Sequence, residues 1–278
     1  MDFAFDYVDN LPHEPAGQGR LLKGAAFAKA DGTRPPILLV HGAYHGAWCY
    51  ALWMRELDRH GWPVAALDVR GHGGLPQDAN FADAGVRQMA EDIVAAGDLI
   101  ETPPILCGHS LGALLVGVAA ETMDLAGLVL LAPSPPGQLP GARALPAIAE
   151  GKVKSPPDLS TASANFFPRW AGDPAAVAKL VGRLTPESPV LQNERFRLSV
   201  PVDRDAIDAP ALCIACGLDS EDLHPPGQDK AVADFYDAEY RILPNASHCL
   251  MVDPDWQTGL NSILDWAQRR TGAHEIDR

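Results

Sequence analysis

The stretch "ILCGHSLGAL", residues 105–114, decides how the rest of the chain is read. An apolar run, Ile105, Leu106 and Cys107, stops at Gly108, and a second glycine follows at Gly112. Between them stand His109, Ser110 and Leu111, and from Ala113 onward the residues favour helix. A strand that passes at once into a helix needs a tight corner, and the residue at its tip is forced into an unusual backbone conformation. Large side chains two positions away on either side would collide, which accounts for the glycines. The corner presents the Ser110 hydroxyl above the end of a sheet, beside a helix N-terminus. Strand, G-x-S-x-G, helix is the arrangement of a nucleophile elbow.

A serine hydroxyl is a weak nucleophile at neutral pH. It needs a base for its proton, a carboxylate to orient the base, and donors for the oxyanion that forms. Of the histidines after the serine, His248 in "LPNASHCLMVDPDW" follows the last expected strand and precedes the last helix. From such a loop it can reach back over the sheet. His224 lies in a proline-rich turn and His274 in the tail. The loop after "ALCIAC" offers three acids, Asp219, Glu221 and Asp222. For the donors, "LLVHGAYHGAWCY" places Ala43 where a strand gives way to a helix, so the N–H groups of Ala43 and Leu111 form the expected oxyanion hole. No carboxylate or cysteine cluster accompanies His41 and His45, so neither a metal nor a cofactor is expected.

Outward from the elbow, strand-like and helix-like patterns alternate. Strands are expected at 35–40, 63–69, 103–108, 126–133, 211–216 and 238–244, and helices at 47–61, 81–101, 111–123, 227–236 and 254–270. This order predicts an α/β fold, with a mostly parallel central sheet flanked by helices. "FAFDYV" and "RLLKGAAFAK" read as an antiparallel hairpin at the sheet's edge. Residues 134–208 hold prolines, short helical patches and "NFFPRW", with no strong strand. A segment so long is read as an inserted helical cap, leaving 1–133 and 209–278 as the core.

The chain has 278 residues, 47% of them apolar, enough for a large core. Its net charge of −14 repels nucleic acids and anionic membranes. The acidic start lacks a secretion signal and no apolar run is long enough for a membrane span, so a cytoplasmic address is the expectation. Composition says nothing about oligomeric state. Cys213 and Cys216 form a C-x-x-C, but side chains three apart on a strand face opposite ways, so they read as buried apolar residues.

The segments "LLVHGAYHGAW", "LDVRGHGG", "GHSLGALL", "LLAPSPP", "CGLDSEDLHPP" and "NASHCLMVDP" resemble the α/β-hydrolase superfamily along nearly the whole chain, most closely its serine esterase and lysophospholipase-like branch. "HGAYHGAW" is also similar to the corresponding segment of hydroxynitrile lyases and plant methylesterases. The resemblance implies a triad of Ser110, His248 and an acid after the penultimate strand, a cap between strands, and no cofactor. The superfamily spacing fits Asp219. Counting back from Pro225-Pro226 lands nearer Asp222, because the acid loop is longer than usual.

The expected activity is hydrolysis of small to medium apolar carboxylic esters through an acyl-enzyme. Tyr44, Trp48, Phe166, Phe167 and Trp170 are the expected pocket residues, and an uncharged ester the expected substrate. The alternatives are a lyase using Lys230 near the acid loop, a cofactor-free oxygenase, and a slow-turnover ligand receptor on the same scaffold.

Overall fold

The computed structural model describes residues 1–30 and 32–271; His274 lies outside them. Its eight strands are β1 (His13–Ala16), β2 (Gly19–Lys23), β3 (Ile37–Val40), β4 (Val64–Asp68), β5 (Ile105–His109), β6 (Gly127–Leu131), β7 (Ala211–Cys216) and β8 (Glu239–Leu243). They form one sheet in the order β1-β2-β4-β3-β5-β6-β7-β8. From β4 to β8 every pairing is parallel, whereas β1 and β2 form an antiparallel hairpin on the β4 side.

Strands β3 to β7 are buried along their whole length, as their runs of apolar residues require. Alternate residues divide between two cores. Ile37, Leu39, Cys107, Val129 and Cys216 join one, and Leu38, Val40, Leu106, Leu128 and Cys213 the other. Cys213 and Cys216 therefore do face opposite ways, and both are free thiols. The flanking helices are α1 (Phe5–Asp9), α2 (Ala51–Arg59), α3 (Val86–Asp98), α4 (Leu111–Ala119), α8 (Gln228–Phe235) and α9 (Gln257–Thr271). Helix α4 is buried on every side, lying between the sheet and α3. This is why "LGALLVGVA" carries no polar face.

The edge hairpin corrects the sequence expectation. It is built from "HEPAGQGRLLK", whereas "FAFDYV" folds mainly as α1. Its Phe3, Ala4 and Val8 are buried, and Phe3 packs edge-on against Trp170. Between β6 and β7 the chain forms α5 (Leu159–Asn165), α6 (Pro174–Val181) and α7 (Pro189–Phe196). Their buried side chains join the two cores of the sheet: Ala162, Phe167 and Leu180 one, Leu191 the other. Among the described residues no helix is long and apolar enough to cross a membrane.

Two strand ends matter for the site. Strand β3 sits between β4 and β5, so the loops leaving β3 and β5 run to opposite sides of the sheet and leave a crevice between them. In open α/β sheets that is where ligands bind.

Asp92 of α3 fastens the hairpin end to this frame. It is fully buried and accepts the Gln18 N–H at 2.9 Å, the Arg70 N–H at 2.9 Å, and the Arg70 guanidinium at 2.8 and 2.9 Å. Replacing it with alanine leaves the largely buried Arg70 charge only the exposed Glu91, at 3.6 Å. Asp92→Ala should lower unfolding stability by about 3–5 kcal/mol, read from urea denaturation; a loss under about 1 kcal/mol would show that the pair is not needed.

Candidate active site

Ser110 is the tip of the corner between β5 and α4. Its φ of 53° and ψ of −118° lie outside the ordinary regions for an L-residue. The strain is held by neighbours on β6, since the Ser110 N–H donates to Leu131 O at 2.8 Å and its carbonyl accepts from the Ser134 N–H at 3.0 Å. The two elbow glycines serve different ends. A Cβ on Gly108 would sit 2.4 Å from the Gly112 carbonyl oxygen, within the corner itself. A Cβ on Gly112 would sit 2.4 Å from His41 O, on the loop leaving β3. That loop returns the contact: a Cβ on Gly42 would meet the Ser110 Cβ at 3.0 Å.

The interlock brings Ala43 beside the serine, and Ala43, Ser110, Leu111 and His248 all line one cavity of about 460 Å³. Leu111 opens α4, where the N–H has no partner within the helix. The two residues expected to supply backbone donors, Ala43 and Leu111, thus share a cavity with the Ser110 hydroxyl.

His248 and Asp219 meet as the chemistry requires: Asp219 Oδ1 lies 2.9 Å from His248 Nδ1, and both side chains are almost fully buried. A carboxylate on Nδ1 holds the proton there and leaves Nε2 bare for a hydroxyl. The three acids of the loop thus separate. Asp222 points to solvent, 3.8 Å from Arg143, and Glu221 is exposed. Burial pushes the Asp219 carboxyl up, but the His248 and His224 charges together carry it below the usual range.

Several residues in the site were not singled out by sequence. His109 donates Nε2–H to the His248 carbonyl at 2.8 Å, fixing the height of the histidine loop. Burial, joined by the charge of His248, pushes its own pKa far down, so it serves as a neutral strut. Asp253 accepts from the Ser247 N–H at 2.8 Å and the Ser247 hydroxyl at 2.6 Å, pinning the other side of that loop. Glu187, between α6 and α7, accepts the Tyr44 N–H at 3.2 Å and meets His72 Nε2 at 3.1 Å. The neighbouring Thr185 N–H donates to Tyr44 O at 2.8 Å. The loop carrying Ala43 is therefore clamped from the inserted segment. Polarity inside an apolar run was the available signal for His109; Glu187 offered none.

His41 and His45 also prove to be loop supports. His41 Nδ1 lies 2.9 Å from Gly42 O, and His45 Nδ1 2.7 Å from Ala43 O. Burial pushes the His45 ring down to about 4. Among the described residues, the ligand-type atoms that cluster within 4.8 Å belong to Asp219, His224 and His248. In the same residues His248 Nδ1 is hydrogen-bonded to Asp219 and His224 Nδ1 to Asp229.

Of the expected pocket residues, Tyr44 and Phe166 are on the cavity wall, and the Phe166 ring stacks on His248 with centroids 5.8 Å apart. Trp48, Phe167 and Trp170 are not on that wall. Trp48 stacks on His45, Phe167 is wholly buried, and Trp170 donates Nε1–H to Val252 O at 2.9 Å. Lys230 lies on the outer side of α8, paired with Asp234, away from the cavity.

A profile of the alpha/beta hydrolase family matches residues 37–257. The chain belongs to this family. Within it, Methylesterase 3 of Arabidopsis thaliana is 32% identical over 91 residues, 31% of this chain and 33% of that protein. Esterase PIR7B of Oryza sativa subsp. japonica is 32% identical over 96 residues, 33% and 35% of the two chains. The matched stretches thus span about a third of these relatives. A crystal structure of a methylesterase from Arabidopsis superposes with a TM-score of 0.68 at 19% identity, covering 84% of this chain and 99% of that one. At such identity the likeness is one of fold, and the family's fold is the one described above.

The loop after β7 brings His224 back against Asp219. Its Nδ1 lies 2.9 Å from Asp229 Oδ1 and its Nε2 3.9 Å from Asp219 Oδ2. Burial alone would push His224 down, but the Asp229 hydrogen bond and the charges of Asp219 and Asp229 raise it above its usual 6.5. A raised histidine contributes stability that is fully present below the unfolded value and lost as pH rises through the folded one. The stability advantage of the native protein over Asp229→Asn should therefore be larger at about pH 6 than at about pH 9, as measured by urea denaturation at each pH. A difference that is flat or grows with pH would show His224 to be neutral in the fold.

Proposed function

We propose that the protein is a cofactor-free serine hydrolase of carboxylic esters. The observation that supports this reading is a strained Ser110 sharing one cavity with an Asp219-oriented His248 and with Ala43 and Leu111. His248 Nε2 takes the Ser110 proton as the oxygen attacks the ester carbonyl. The oxyanion is met by the N–H groups of Ala43 and Leu111, which are held in place beforehand and need no reorganisation. His248 then protonates the departing alcohol. Water, deprotonated by the same imidazole, cleaves the acyl-enzyme and frees Ser110. Asp219 keeps the Nδ1 proton in place and stabilises the imidazolium throughout.

A cavity of about 460 Å³ suits a small to medium ester, with Tyr44, Phe166, Leu111 and Leu223 providing apolar wall. A lyase of the hydroxynitrile type would want a cation from Lys230, whose place on the outside of α8 leaves that reading without support.

Three variants test the proposal together. Ser110→Ala should lower kcat on p-nitrophenyl esters by at least about 10³-fold, and a phosphonate should label Ser110 alone in the native protein. Asp219→Asn should lower kcat by about 10⁴-fold, while Asp222→Asn stays within about twofold. Near-normal turnover by Ser110→Ala, or a crippled Asp222→Asn beside an intact Asp219→Asn, would overturn the assignment.

A further inference from the structure

One wall of the cavity carries an unexpected charge. Arg195, on α7, is partly buried and lines the cavity, as well as a smaller crevice that it shares with Arg143 and Asp222. Its Nε donates to the Ser134 hydroxyl at 2.8 Å, and its guanidinium lies 5.3 Å from the centre of the Phe196 ring. Among the described residues no carboxylate pairs with it. Glu194, its neighbour in the chain, accepts the Val86 N–H at 2.6 Å, and Glu187 holds Tyr44 and His72. Burial pushes Arg195 down to about 10, which leaves it cationic at neutral pH. An enclosed charge without a counter-ion is costly unless something else supplies one.

Two exposed charges of opposite sign, Lys154 and Asp158, line the same cavity. Asp158 is taken up as the cap of α5, accepting the Thr161 N–H at 2.8 Å.

We infer that Arg195 forms a subsite for a carboxylate that the substrate carries besides its scissile ester. The reacting molecule is then a monoester of a dicarboxylic acid, or an ester whose alcohol part bears an acid. One guanidinium matches a single negative charge, and its fork fits the two oxygens of a carboxylate. A phosphate dianion would need more donors than the wall offers. The subsite departs from the uncharged substrate expected from the sequence, and it rests on the reading of Ser110 as nucleophile.

The test compares p-nitrophenyl butyrate with the mono-p-nitrophenyl ester of glutaric acid, on the native protein, Arg195→Gln and Arg195→Lys. The native protein should favour the charged ester by about 10–100-fold in kcat/KM, mostly through KM. Arg195→Gln should bring the ratio close to one, and Arg195→Lys should keep part of it. Because both esters meet the same protein, the ratio is unaffected by a lowered folded fraction. Glutarate binding by calorimetry, about tenfold or more weaker in Arg195→Gln, reads the subsite without turnover. A native ratio near one, or a preference that survives Arg195→Gln, overturns the subsite and leaves the hydrolase standing. Failure of both esters to react overturns the hydrolase, and glutarate binding then decides the subsite alone: Arg195-dependent binding upholds it, and its absence removes it.

Discussion

The site depends on a backbone contact between two loops that leave different strands. The elbow after β5 and the loop after β3 touch through Gly112 and Gly42, each positioned where a methyl group would strike the other loop. Nothing else sets the distance between hydroxyl and donors so directly. Strand order makes the contact possible, since β3 and β5 are hydrogen-bonded neighbours in parallel, with Val40 opposite Gly108. The sheet supplies position, the glycines supply closeness, and the strain at Ser110 follows from both.

Around that contact the protein spends buried polar groups on holding loops rather than on chemistry. His109 carries the His248 carbonyl, Asp253 carries Ser247, His41 and His45 carry the carbonyls of Gly42 and Ala43. Each is buried, where a satisfied hydrogen bond is stiff and an unsatisfied one is expensive. In the proposed mechanism the reacting groups are thus oriented before any ester arrives, which is the condition for electrostatic catalysis.

Much of this was legible in the sequence, for reasons that can be named. Buried parallel strands are short apolar runs, so β3 to β7 stood out. The elbow combined a residue pattern with the secondary structure it needs. The edge hairpin failed because "FAFDYV" alternates like a strand, while the same Phe3, Ala4 and Val8 also suit a short helix packed under Trp170. "HEPA" has no β-branched residue to betray β1. The aromatic run "NFFPRW" told that rings would be near the site, but not which; that depends on how a short turn is rotated, and Phe166 alone reached the cavity. The choice among Asp219, Glu221 and Asp222 turned on a loop path that no periodicity encodes. Arg195 and Glu187 were hidden for the opposite reason: charged residues on short helices and turns read as solvated until the fold encloses them.

The clamp of Glu187 and Thr185 on Tyr44 bears on how an ester gets in and out. The loop that carries Ala43 is hydrogen-bonded on both sides of Tyr44 to the segment between β6 and β7, which lines the cavity. Lifting that whole segment would break both bonds and free the donor loop. A wide-open protein would thus be one unable to stabilise an oxyanion, and a protein ready to react would be one already closed. Traffic and turnover then compete for the same few hydrogen bonds, and the release of product would be timed by how often they let go.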